Sequence, residues 1–146
     1  MPSLTGVRDA AVALLQTVFP ELPRVEAFSG ELTLDVAAEK GLPPGVSVLV
    51  AAIAADNDAQ PGTLDFDVVG TFGVLVVSNN IAGAELAEAD ALAVAEKVAL
   101  TVHGATFGLP LSPALVKRIE TATDGELAAS GLSVWAVLWQ QSLLFE

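Results

Sequence analysis

The segment 131–141 most constrains the fold, because it predicts a β-strand that is apolar on both of its faces. Side chains of a strand alternate between two faces, so Trp135, Val137 and Trp139 share one face. The opposite face is aliphatic and carries Val134, Ala136 and Leu138. Such a strand must be covered on both sides, by a helix layer or by another chain. Both tryptophans of the protein lie here, and we predict that Trp135 and Trp139 are core residues.

Composition narrows the class of protein. With 146 residues, 53% of them hydrophobic, the chain can bury a sizeable core, and we expect a single domain spanning residues 1–146. The net charge of −12 argues against a surface that binds duplex DNA, which needs clustered Lys and Arg. Cysteine is absent, which excludes a disulfide framework and a thiolate metal site. No signal peptide is visible, and the longest apolar run, residues 46–55, is about half a membrane span. We therefore expect a soluble protein without a membrane partner.

Hydrophobic periodicity predicts two helices and four to five strands. Apolar residues recur with helical spacing between Val7 and Val18, and a second apolar stripe predicts a helix over residues 85–102. Strands are predicted at residues 24–28, 46–55, 63–78, 114–123 and 131–141. Residues 31–40 fit either a strand or a helix. This order predicts an α+β fold, in which two main helices pack on one face of a mixed or antiparallel sheet.

Residues 46–78 predict a long β-hairpin whose turn spans residues 56–62. Gly70 and Gly73 suggest a bulge or bend in its second arm. In the same arm Asp65 and Asp67 alternate with Leu64, Phe66 and Val68, which makes one wet face and one apolar face. A ribbon of this kind suits contact with a partner, so Asp56, Asp58, Asp65 and Asp67 are candidate interface residues.

No residue pattern indicates catalysis, a metal site or a cofactor. Asp56, Asp58 and Gln60 mimic the first ligands of a calcium loop, but proline stands at the glycine position and Asp67 at the glutamate position. Asp65 and Asp67, about 7 Å apart by strand rise, could support acid–base chemistry, and a small acidic enzyme domain using them remains an alternative. The single histidine, His103, follows the second predicted helix, where a cationic ring suits the helix dipole.

The assembled pattern resembles the tail terminator family of Mu-like phages and prophages. The resemblance rests on the hairpin segment 72–80, the helix 90–102, the Leu-Val-Lys-Arg-Ile-Glu strand at 115–120 and the Trp-x-Val-x-Trp strand within 131–140. It covers most of residues 5–143.

The resemblance implies a small α+β subunit that forms a homohexameric ring in the virion, at the head-proximal end of the tail, after assembly in the host cytoplasm. Its partners are further copies of itself, the tail tube protein and the head-proximal connector. The ring stops growth of the tube, and DNA passes through without specific binding. The four aspartates then become candidates for the lumen as well as for an interface. Another head–tail joining protein or a tail tube component is the closest alternative.

Overall fold

The computed structural model describes residues 3–28, 45–57, 67–79, 84–109, 111–123, 127 and 131–144, without the side chains of 67, 84–88 and 144. Two helices and five strands follow one another in the order expected from the sequence. They are α1 Leu4–Val18, β1 Arg24–Ala27, β2 Gly45–Asn57, β3 Asp67–Asn79, α2 Ala84–Val102, β4 Leu115–Thr121 and β5 Leu132–Leu144. The predicted ambiguous segment 31–40 and the turn residues 58–62 lie outside the described residues.

The five strands form one mixed sheet in the order β1-β2-β3-β5-β4. Only β1 and β2 pair in parallel, and the other neighbouring pairs are antiparallel. The three long central strands, β2, β3 and β5, each contain 13 residues. The α+β prediction with a long β2–β3 hairpin is therefore confirmed.

Both helices cover the same face of the sheet. Val7, Ala11 and Leu15 of α1 and the apolar stripe of α2 pack with alternate residues of the central strands. The strand residues of this core are Val46, Val48, Val50, Phe72, Val74, Val76, Val137, Trp139 and Leu143. Because these side chains are fully buried or nearly so, this helix-covered face holds the main hydrophobic core.

A smaller core lies on the opposite face, at one end of the sheet. Leu49, Val77 and Val134 are buried there against Phe28 and Leu127. The strand register places Val77 beside both Ser47 and Val134, so these residues share a face. The sequence predicted that β5 is apolar on both faces. The structure explains this pattern, because each face of the strand contributes residues to a different hydrophobic cluster.

The hairpin differs from the prediction in two respects. The irregularity lies in β2, where the pairing shifts between Ala52 and Ala54, while β3 pairs with β5 without interruption. Gly73 is explained by packing, since a Cβ there would lie 2.7 Å from Ile53 Cδ1. In addition, β2 is a core strand only in its first half, because every residue from 52 to 57 is exposed.

Candidate assembly surface

Trp139 lies at the centre of the helix-covered face. Its side chain is completely buried and stacks on Phe72 with a ring-centroid distance of 5.2 Å. Phe107 approaches from the loop after α2, with a centroid distance of 5.9 Å. Trp135 is half-buried at the edge of the same core, and its indole nitrogen is buried without a hydrogen-bond partner. Trp139 therefore joins β3, β5 and the loop after α2 within the main core.

Gln141 fastens the loop 103–114 onto that face. Its amide nitrogen donates to the carbonyl oxygens of Ser112 and Ala105, at 2.8 and 3.2 Å. Its amide oxygen accepts the indole N–H of Trp139 at 3.3 Å. Gln141 is only 2% exposed, so its side-chain amide makes all three hydrogen bonds away from solvent. The sequence predicted only that the apolar pattern ended at the glutamines, whereas the strand continues to Leu144.

The other half of the opposite sheet face carries large aliphatic side chains that are exposed. Ile53 is 56% exposed and Leu115 is 46% exposed, although both are large aliphatic residues. Ile53 and Leu138 both pack over Gly73, which places them on the face away from the helices. Leu115 pairs with Gln140, a residue of the same face as Leu138. We call the surface formed by Ile53, Gly73, Leu115 and Leu138 the open sheet face.

Two of the four predicted acidic residues, Asp56 and Asp67, belong to described parts of the hairpin that carries Ile53. Asp56 is exposed near the end of β2, opposite Val69 of β3. Asp67 is the first residue of β3, and Asp58 and Asp65 lie outside the described residues. The structure therefore places Asp56 on the same strand as Ile53, three positions further along, and leaves the grouping of the four aspartates as a prediction.

A second apolar surface lies between α2 and β4, on the helix side of the sheet. It is a shallow groove of about 400 Å³, lined by Glu96, Ala99, Leu100, His103, Val116 and Ile119. Leu100 is 82% exposed and Ile119 is 39% exposed at its sides. We call these six residues the β4 groove. Its lining is aliphatic apart from Glu96 and His103, so it is suited to an apolar side chain rather than to a charged ligand.

His103 joins the end of α2 to the start of β4. Its Nδ1 accepts the backbone N–H of Val116 at 3.2 Å. This bond links the residue that follows α2 to the second residue of β4. His103 therefore provides a hydrogen-bond acceptor for a backbone N–H at the start of β4.

The two cationic residues of β4 are both exposed. The pairing with β5 shifts between Val116 and Arg118, which makes Lys117 the extra residue of a bulge. Because a bulge interrupts the alternation of side chains, adjacency in sequence does not place Lys117 and Arg118 on opposite faces. Arg118 forms an ion pair with Glu120 at 3.1 Å.

The described part of the chain offers no group of three or more His, Cys, Asp or Glu residues that could hold a metal ion. Within the same residues, neither helix is long and apolar enough to cross a membrane. The surface features that remain are the open sheet face, the β4 groove and the acidic end of the hairpin. Exposed apolar surface such as that of the first two features is typical of contacts between proteins.

Comparison with known proteins agrees with the architecture. No curated protein matches the chain. Among solved structures, a chain described as "Virion of native gene transfer agent (GTA) particle" superimposes with a TM-score of 0.63 at 14% sequence identity. The match covers 99% of this chain and 100% of that chain, so the two share a fold over their whole length. The family model described as Bacteriophage Mu, Gp37 matches residues 3–144. The chain therefore belongs to the Bacteriophage Mu Gp37 family.

Proposed function

We propose that this protein is a structural virion protein that acts as a tail terminator, and that it is not an enzyme. It forms a closed ring of six subunits on the end of the tail tube, stops tube growth and joins the tail to the head-proximal connector. Membership of a phage family and a shared fold with a chain of a virion particle support a structural role in the virion. The terminator role, the six-fold ring and the head-proximal position are the finer part of the proposal.

The open sheet face is the observation that carries the proposal. An antiparallel sheet can leave one face to solvent, but that face is then ordinarily polar, whereas here the large aliphatic residues Ile53 and Leu115 are exposed beside Leu138. Apolar surface of this kind, rimmed by polar residues such as Asp56 and Arg118, is typical of a protein–protein contact. A subunit whose sheet is completed by a neighbour is what a ring-forming virion protein requires.

Charge supports passage of DNA through such a ring without retention. The chain has 18 acidic and 6 basic residues, so its surfaces repel phosphates instead of displacing their counterions. We propose that Asp65 and Asp67, with Asp58 in the turn, face the lumen or the tail tube. Replacing Asp65 and Asp67 together by lysine is expected to leave the subunit folded and to reduce the yield of infectious particles.

A matched control changes the same charge elsewhere. Glu21 is exposed after α1, and Asp9 is exposed on α1, so replacing both by lysine reverses two charges outside the hairpin strands. Normal infectivity of the Asp65→Lys, Asp67→Lys particles, or an equal loss in the Asp9→Lys, Glu21→Lys control, would contradict the lumen placement.

Assembly of the purified protein tests the terminator role itself. Native mass spectrometry and electron microscopy are performed on the protein alone and with the tail tube protein. The expected result is a closed six-membered ring that sits at one end of each tube and stops its extension. A protein that extends into tubes by itself is a tube component, and one that stays monomeric at high concentration and beside tubes is not a terminator.

A further inference from the structure

Exposed large apolar side chains occur on two separate surfaces of the described structure. Ile53 and Leu115 belong to the open sheet face, and Leu100 and Ile119 belong to the β4 groove. The first surface lies on the side of the sheet away from the helices, and the second lies between α2 and β4. Two different apolar surfaces on one subunit are what a heterologous, head-to-tail contact requires, because each copy then presents both halves of the interface.

One of the two surfaces is a groove, and the other presents an exposed side chain. Ala99 and Val116 are small or half-buried and form the floor of the groove, while Leu100 and Ile119 stand at its sides. Ile53 is instead an exposed aliphatic side chain on the open sheet face, at the position where β2 shifts its pairing with β3. The exposed side chain of Ile53 on one copy can therefore contact the β4 groove of the next copy.

The β4 edge favours contact through side chains over the addition of a strand. Among the described strands β4 is outermost in the sheet, but it carries a bulge at Lys117. A bulge and an exposed lysine on an edge strand are devices that prevent another strand from pairing with it. A partner at this edge must then contact the groove, which depends on side chains alone.

Charge identifies the partner as acidic. Within the described part of the chain, Lys117 is the one cationic side chain with neither an ion pair nor an aromatic contact. The other four have partners: Arg8 with Asp9, Arg24 with Glu26, Arg118 with Glu120, and Lys97 over the ring of Phe19. Lys117 follows Val116 of the groove floor, and Asp56 follows three positions after Ile53. A second copy of this chain supplies both an exposed aliphatic side chain, Ile53, and an acid on the same strand, Asp56.

We propose that the β4 groove of one subunit binds Ile53 of the open sheet face of a second copy, with Asp56 of that copy beside Lys117. This contact is heterologous, so its repetition closes a ring when the rotation between subunits allows it. The inference rests on the proposed ring-forming function and names the surfaces that join its subunits.

Chemical cross-linking tests the contact directly, because the natural chain has no cysteine. The double variant Ile53→Cys, Leu100→Cys places one thiol on each surface, and both positions are exposed. Treatment of assembled rings with a short bis-maleimide reagent is expected to give a covalent ladder of dimers up to the full ring. The control Ile53→Cys, Ala13→Cys uses an exposed position on α1 and should give no ladder.

The outcomes separate the two proposals. Rings that form but give no ladder above the control overturn the groove contact and leave the ring function standing. Absence of any ring of the unsubstituted protein, with and without tube protein, overturns the ring function and the contact with it.

A mixing experiment determines whether the contact is head-to-tail. Ile53→Glu and Leu100→Glu each destroy one of the two surfaces, so each variant alone is expected to remain monomeric. An equimolar mixture retains one intact junction and should form heterodimers that cannot grow into rings. Homodimers of either variant, or rings in the mixture, would overturn the heterologous arrangement.

Discussion

Replacement of Gln141 by alanine should destabilise the protein far more than the same change at its neighbour Gln140. The two glutamines are adjacent in sequence, but Gln141 is buried on the helix-covered face and Gln140 is exposed. Loss of the Gln141 amide leaves the indole N–H of Trp139 without its acceptor and removes donors from two loop carbonyls. The carbonyl of Ala105 keeps a second donor, the N–H of Ala114 at 2.9 Å.

The magnitude follows from these contacts. A buried polar group left without a partner costs about 1–3 kcal/mol, and the indole N–H is the group most affected. Removal of a buried methylene adds about 0.8 kcal/mol. Gln141→Ala should therefore lower the free energy of unfolding by about 2–4 kcal/mol. Gln140→Ala, an exposed change, should stay within about 0.5 kcal/mol of the parent.

Urea denaturation followed by far-ultraviolet circular dichroism measures both values without relying on the tryptophan that the change perturbs. Gln141→Met, which preserves most of the side-chain volume, isolates the hydrogen bonds and should still cost about 1–3 kcal/mol. Equal stability of the Gln141→Ala and Gln140→Ala proteins would refute the argument that Gln141 fastens the loop 103–114 to the sheet.

Three further substitutions test the packing of the helix-covered face by the same denaturation assay. Trp139→Ala removes a fully buried, stacked ring and should cost about 3–5 kcal/mol, so a midpoint equal to that of the parent would exclude it from the core. Trp135→Phe removes a buried indole N–H that has no partner, and should change the free energy of unfolding by less than about 1 kcal/mol. A loss as large as that of Trp139→Ala would contradict this expectation. Gly70→Ala places a Cβ 2.7 Å from the Phe72 ring and 3.0 Å from Leu143, and should cost about 1–3 kcal/mol, whereas an unchanged midpoint would show that the ring moves freely.

The proposed contact surfaces were only partly predictable from sequence. Acidic residues that alternate with apolar ones in the hairpin pointed to a contact region, and Asp56 does lie on an exposed part of β2. The sequence did not indicate that Ile53 is exposed, because this residue lies inside the longest apolar run, which predicts core residues. Leu100 lies within an apolar helix, and only its position relative to β4 shows that it borders a groove. Hydrophobicity predicts which residues avoid water, but it does not tell which of them the chain itself can cover.

The sequence by itself determined the order of the elements, the two faces of β5 and the α+β class, because each depends on a local periodicity of two or 3.6 residues. Only the tertiary structure decided which half of the opposite sheet face is covered, since Phe28 and Leu127 come from distant parts of the chain. It also decided that Gln141 is a buried anchor while Gln140 faces solvent, and that the irregularity lies at Ile53 in β2 rather than at the glycines of β3. These features depend on pairing register and on long-range contacts, which a residue's own neighbours in sequence do not specify.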